Sequence, residues 1–169
     1  MTSGASGSTV HLLCGFNGSG KTTYAKRLEK ALPDVRFSLD EWMLRLYPDL
    51  SFDSTGYGFR AETCKDILWN AAQHVLACDV DVVLDWNQWS KRRRATWRDH
   101  ALKAGYTPRL HFIDVPAETA IERAAERMAN RSPGSHELAP SDVRHLASIF
   151  ERPTGDEGMR IETVSGDFS

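Results

Sequence analysis

What this chain lacks narrows the field before any motif is read. Its 169 residues hold three cysteines, Cys14, Cys64 and Cys78, with no metal-ligand spacing and no even-numbered disulfide framework. That excludes a small disulfide-stapled scaffold and points to a reducing compartment. No apolar run approaches the ~20 residues of a membrane-spanning helix. The polar, low-complexity stretch from Thr2 to Ser8 has no apolar centre of the signal-peptide kind. Residues 1–8 are therefore expected to form a flexible leader, and the protein to be cytoplasmic with no membrane partner. A surplus of positive charge is missing too. A formal net charge of -2 argues against a broadly basic nucleic-acid surface, although a local basic patch stays open.

What is present is ordinary in bulk. Hydrophobic content of 41% and charged content of 26% suit a globular domain. A chain of this length buries about two-thirds of its unfolded surface. With no internal repeat and no composition break, residues 9–169 read as one domain.

The informative feature is local. Gly15-Phe16-Asn17-Gly18-Ser19-Gly20-Lys21-Thr22 is a complete G-x-x-x-x-G-K-[ST] phosphate-binding loop. It follows an apolar run, Val10 to Cys14, and opens a helical stretch, Thr23 to Leu32. That is the strand–loop–helix context the motif requires. Backbone N–H groups of Gly15, Asn17, Gly18, Ser19, Gly20, Lys21, Thr22 and Thr23 would wrap a nucleotide's phosphates at a helix N-terminus. Lys21 would reach the β- and γ-phosphates, and the Thr22 hydroxyl would complete a Mg²⁺ shell. The expected cofactors are ATP and Mg²⁺.

Around that loop the pattern alternates strand and helix: strands at Val35–Ser38, Asp81–Asp85, Leu110–Asp114 and Met159–Val164, helices at Arg60–Cys78, Lys91–Ala104, from Pro116, and at Pro140–Phe150. Such alternation predicts an α/β fold, a five-stranded, mostly parallel P-loop sheet with helices on both faces. In the Arg60–Cys78 helix the expected inward face is Ile67, Leu68, Ala71, Ala72, Val75 and Leu76. In the helix after Pro116 it is Ile121, Ala124, Ala125 and Met128.

Three kinds of protein share such a loop: remodelling ATPases, GTPase switches and kinases. An ATPase commonly has a glutamate after the strand-end aspartate to activate water, but Asp85 is followed by Trp86. A GTPase needs an Asn-Lys-x-Asp segment to read guanine, and none exists. Asp53-Ser54-Thr55-Gly56 fits the D-x-x-G switch pattern but follows no apolar strand. A kinase needs a carboxylate for the acceptor hydroxyl's proton and mobile arginines for the transferring phosphoryl group. Both are here. Asp40, at the end of the Val35–Ser38 strand, is the expected base, the competing reading being an N-cap for a helix starting at Glu41. Asp85 ends the next strand and suits Mg²⁺ held through water. Arg123, Arg127 and Arg131 recur every fourth residue on one helix face, and the loop Asn130 to Ala139 gives residues 123–140 the anatomy of a lid. Arg123 and Arg127 are the expected catalytic pair, against the alternative of a solvated stripe. Lys91-Arg92-Arg93-Arg94 is a basic run at a helix start, where it opposes the helix dipole. Trp42 and Trp89, with Asp40, Asp85 and Arg94, are candidates for the acceptor side, where aromatics would wall a pocket or stack bases.

The order of motifs resembles a known family. Gly-x-Asn-Gly-Ser-Gly-Lys-Thr-Thr, Ser38-Leu39-Asp40-Glu41-Trp42, Val83-Leu84-Asp85-x-x-x-Trp89-Ser90-x-x-x-Arg94, and Phe112-Ile113-Asp114-Val115-Pro116 followed by Arg123 and Arg127 look like the small bacterial P-loop kinase-like proteins of the AAA_33 group. That group is similar to the kinase domain of phage polynucleotide kinase and, more remotely, to zeta toxins and chloramphenicol phosphotransferase. The resemblance runs from about Val10 to Pro153 and includes Phe150-Glu151-Arg152-Pro153. It implies strand order 2-3-1-4-5, Asp40 as acceptor-side base, and Arg123 or Arg127 as lid arginine. It supports kinase chemistry better than any one acceptor. The leading expectation is transfer of the γ-phosphate of ATP to a hydroxyl of a small molecule such as a natural product or antibiotic. A polynucleotide 5′-hydroxyl kinase is the rival, and a nucleotide-binding regulatory protein with little turnover the alternative of another class.

Overall fold

The structure, a computed structural model, describes residues 7–130 and 140–167. Arg131, residues 1–6 of the expected leader and residues 131–139 of the expected lid lie outside the described residues. In chain order the elements are β1 (Thr9–Cys14), α1 (Lys21–Ala31), β2 (Val35–Ser38), α2 (Leu39–Leu46), α3 (Tyr57–Leu76), β3 (Val82–Asp85), α4 (Lys91–Lys103), β4 (Thr107–Asp114), α5 (Ala117–Ala129), α6 (Pro140–Ser148) and β5 (Arg160–Ser165). The strands form one sheet in the order β2-β3-β1-β4-β5. Every pairing is parallel, so the expected order holds and the parallel character is complete.

Parallel strands need crossovers, and the helices between them cover both faces, so side chains of both parities are buried. Val10, Leu12 and Cys14 of β1 pack with Leu84, Leu110 and Phe112 against Cys64, Leu68, Ala72 and Leu76 of α3 and Trp97 of α4. The alternate residues Leu13, Val83 and Ile113 pack on Ala25 of α1 and Ala120 of α5. Two expected helix faces hold in part: Leu68, Ala72, Val75 and Leu76 of α3 and Ile121 and Ala124 of α5 pack inward, and the remaining residues do not. On α3, Ile67 is 60% exposed, and the buried stripe runs through Ala61, Cys64, Leu68, Ala72 and Leu76. On α5 the buried residues are Ala120 and Ala124, while Ala125 and Met128 are exposed. α5 meets the phosphate loop backbone to backbone, which leaves Gly18 no room for a side chain: a Cβ there would lie 2.0 Å from Ala120 O.

β4 starts at Thr107, ahead of the expected Leu110, and carries Pro108 inside it. The strand tolerates that proline because of where its nitrogen faces. Thr107 N bonds to Ser8 O on the β1 side. Alternation turns the nitrogen of Pro108 toward β5, whose pairing begins only at Arg109. Ser8, placed within the leader by the sequence reading, is buried. Pro116 is the N-cap of α5, one residue ahead of its first turn.

Candidate active site

The phosphate loop spans the turn from β1 to α1, and its geometry depends on glycine. Gly18 and Gly20 have φ of 90° and 96°, a region side chains disfavour. Gly15 is closed in differently, since a Cβ there would lie 2.6 Å from Ser19 Oγ and 2.9 Å from Ile113 O. Gly20 caps α1 with no side-chain hydrogen bond, and the first turn carries no acid. The helix therefore presents uncapped N–H groups and its positive end to the cleft, the arrangement that binds phosphate. Lys21 Nζ donates to Gly15 O at 2.9 Å and to Phe16 O at 2.7 Å, folding its side chain over the loop. Burial pushes the Lys21 ammonium down to about 8, with Cys14, Asp85 and Asp40 opposing the shift.

A cleft of 820 Å³ opens from this loop. Asn17, Gly18, Gly20, Lys21, Thr22 and Thr23 line it, whereas the loop's Gly15 and Ser19 are buried and do not. Asp40 and Asp85 line the same cleft, as do Trp89 and Arg127. Arg123, Trp42 and Arg94 do not.

Asp40 sits in the first turn of α2 and is exposed to the cleft. The capping reading fails at this point, because the N-cap is Ser38, whose Oγ accepts from Glu41 N at 3.4 Å. Asp85 is buried at the end of β3, where Arg36 Nη1 donates to its Oδ2 at 2.8 Å. Burial raises the Asp85 pKa, with the neighbouring Asp40 charge adding and Arg36 and Lys21 opposing. Arg36 also donates to Glu41 Oε1 at 2.7 Å, so one guanidinium ties β2 to β3 and α2. Sequence reading missed Arg36, whose only local signal was a charge inside a short strand.

The arginines separate. Arg127 Nη2 donates to Asn17 Oδ1 at 3.0 Å across the loop. Burial lowers its pKa, with Asp40 opposing. Arg123 turns the other way and donates to Gly166 O at 2.9 Å, past the end of β5. The basic run also divides. Lys91 pairs with Asp156 at 2.9 Å. Arg93 lies over the Trp89 ring at 5.4 Å from its centroid and reaches Glu62. Arg94 is a correction to the acceptor-side expectation. It is fully buried, with Nε and Nη2 on the Glu157 carboxylate at 2.6 and 2.7 Å and Nη1 on Gln88 O and Glu151 O. A helix-start arginine with no path to solvent needs such a partner, and Glu157 lies 63 residues away along the chain.

Lys65 and Glu62 of α3 also line the cleft and were not foreseen. Lys65 is buried and bonds Glu62 at 2.8 Å. Beside Asp85, the Trp86 Nε1 and Asn87 Oδ1 atoms are buried without a hydrogen-bond partner among the described residues.

A phosphate loop on the central strand of an all-parallel sheet ordered 2-3-1-4-5 defines the P-loop NTPase and kinase class. The chain belongs to the AAA_33 family of P-loop kinase-like domains, described as an AAA domain, whose family model matches residues 10–153. Among solved structures, a Chloroflexus aurantiacus j-10-fl protein assigned provisionally as a kinase superposes with a TM-score of 0.75 at 19% identity, covering 95% of this chain and 86% of that one. Chaetomium thermophilum Kti12 in complex with ADP-AlF3 gives 0.71 at 22% identity, covering 94% and 89%. A chain of the Pnkp1/Rnl/Hen1 RNA repair complex gives 0.69 at 20% identity, covering 84% of this chain but 43% of that one. These likenesses are likenesses of fold. No curated protein matches the chain.

Proposed function

We propose that this protein is a Mg-ATP-dependent kinase that transfers the γ-phosphate to a hydroxyl of a small molecule, with a natural product or antibiotic as the acceptor class. One observation carries this reading: Lys21, Thr22, Asp40, Asp85 and Arg127 line a single cleft together with Trp86, Asn87 and Trp89. The nucleotide's phosphates sit over the loop, with Lys21 released from the Gly15 and Phe16 carbonyls to the β- and γ-phosphates. The donor set suits Mg²⁺, an oxygen-seeking ion that keeps several waters. Thr22 would ligate it and Asp85 would hold one of its waters, and the bound ion would supply positive charge to offset that of the phosphates. Asp40 accepts the acceptor hydroxyl's proton as that oxygen bonds to the γ-phosphorus and the bond to the β-bridging oxygen breaks, releasing ADP. Arg127 stabilises the charge spread over the transferring group. Phe52 and Trp89 give the cleft apolar surface beside the charged Glu62 and Lys65, a mixed lining of the kind that small-molecule pockets use.

The polynucleotide 5′-hydroxyl kinase reading draws support from the fold shared with a chain of an RNA repair complex. It is disfavoured by the basic run: Lys91 is paired and Arg94 is buried, so the run forms no continuous strip for phosphates. Mass spectrometry of metabolites and oligonucleotides incubated with the protein and γ-labelled ATP tests the choice. Label in a small molecule supports the proposal. Label confined to oligonucleotide 5′ ends selects the rival. Tight nucleotide binding without transfer to any acceptor selects the regulatory class.

A further inference from the structure

We infer that His11, Asp34 and Asp81 form a binding site for one zinc-type divalent ion at the end of the sheet opposite the phosphate loop. Asp34 and Asp81 directly precede the first residues of β2 and β3, whereas the phosphate loop follows the last residue of β1. In a parallel sheet those are opposite edges, so this site is separate from the nucleotide cleft.

Three acceptor atoms converge there. His11 Nε2 lies 3.5 Å from Asp81 Oδ2 and 3.9 Å from Asp34 Oδ2, and the candidate ligand atoms all lie within 4.8 Å of one another. The His11 and Asp34 side chains are 3% and 1% exposed. His11 Nε2 and Asp34 Oδ2 have no hydrogen-bond partner among the described residues, which is costly at that depth. A proton on Nε2 would face both carboxylates at ion-pair range, but at 3.5 and 3.9 Å neither contact is a close hydrogen bond. A divalent cation between the three atoms would satisfy all of them at once. Tetrahedral bonds of about 2.0 Å put ligand atoms about 3.3 Å apart, so atoms that now lie within 4.8 Å of one another would close in by up to about 1.5 Å around the ion. Two carboxylates and a neutral imidazole match a dication in charge. The imidazole selects zinc over Mg²⁺ or Ca²⁺, which take oxygen ligands.

The surroundings orient each ligand. Thr9 N donates to Asp81 Oδ1 at 2.7 Å, leaving Oδ2 toward His11. His11 Nδ1 meets His111 Nε2 at 2.8 Å, and His111 Nδ1 meets the Tyr24 hydroxyl at 2.9 Å. A hydrogen bond on the far ring nitrogen is the usual support for a metal-bound histidine. Asp81, 31% exposed, gives the ion a path to solvent and a place for a fourth, water ligand. The bound ion would clamp three segments distant in sequence, a stabilising role with no part in phosphoryl transfer.

The test is titration of the chelator-stripped full chain with ZnCl2 by calorimetry, alongside thermal melts. The expected result is one zinc per chain, a melting temperature raised by several degrees, and the same affinity with and without Mg-ATP. Asp34→Asn and Asp81→Asn should each weaken binding at least about tenfold. Cobalt titration of the wild-type chain serves should a variant fail to fold. Tetrahedral nitrogen and oxygen coordination gives strong visible bands, whereas a near-ultraviolet thiolate band would place the ion on cysteine and overturn the inference. Absence of stoichiometric zinc binding, or undiminished binding by Asp34→Asn, would overturn it as well.

Discussion

The Arg36 guanidinium lies directly behind Asp85, with Nη1 at 2.8 Å from Oδ2, and the two side chains are 8% and 6% exposed. The acid facing the cleft is thus held from behind by a buried cation on the neighbouring strand. Arg36→Met removes that cation and leaves a buried carboxylate unpaired, which should cost about 3–5 kcal/mol of stability. Arg36 opposes the rise that burial imposes on Asp85, so its loss should move the acid limb of the pH–rate profile to higher pH. Denaturant unfolding and kcat/KM against pH check both effects. A profile that stays in place would remove the pair from the mechanism.

Ser38 and Asp40 have separable jobs. Asp40→Asn should leave the melting temperature near wild type and nucleotide binding intact, while transfer falls by about two to four orders of magnitude. Ser38→Ala removes the cap of α2 and should cost about 1 kcal/mol of stability. Steady-state kinetics and thermal melts on the two variants show whether the effects divide this way.

The lowered Lys21 pKa has a sign that can be checked. Its folded value of about 8 lies below its ordinary 10.5. Between those values the unfolded chain holds more protons, so this group makes stability rise with pH across that window. Below about 8 both states are protonated, and the unfavourable contribution is present in full. Bound phosphates favour the ammonium, so nucleotide binding near pH 8.5 should take up protons. Calorimetry in two buffers of different ionisation enthalpy measures that uptake, and Lys21→Ala should abolish it along with catalysis.

Arg127 and Arg123 stand one helical turn apart and should behave differently. Arg127→Ala is expected to lower turnover at saturating substrate more than nucleotide affinity, because it acts on charge in the closed transition state. Arg123→Ala loses a bond to Gly166 O and should alter kcat far less. Equal kcat losses from both variants would mean that the helix acts as a unit and Arg127 has no separate role.

Arg94→Met strands Glu157, whose carboxylate stays low because Arg94 and the Thr154 N–H outweigh the effect of burial. A loss of about 3–5 kcal/mol in stability is expected, with KM for the acceptor unchanged in the protein that remains folded. A selective rise in acceptor KM at normal stability would return Arg94 to the binding site.

The sequence by itself determined the phosphate loop, since its eight consecutive residues carry their own geometry: glycines where φ is positive, and a helix start directly behind. It determined the parallel α/β sheet for a similar reason, because apolar runs separated by helical periods have few ways to bury both faces. The strand order came from the family resemblance and not from the spacing of the runs. Only the tertiary structure decided which charges face the cleft. Arg94 looked as available as Arg93 until Glu157 closed over it, and Arg127 differs from Arg123 only because Asn17 lies on one side of α5 and Gly166 on the other. The Arg36–Asp85 pair and the convergence of His11, Asp34 and Asp81 were equally illegible. Their members are far apart along the chain and meet only through strand order and register, which local spacing does not encode.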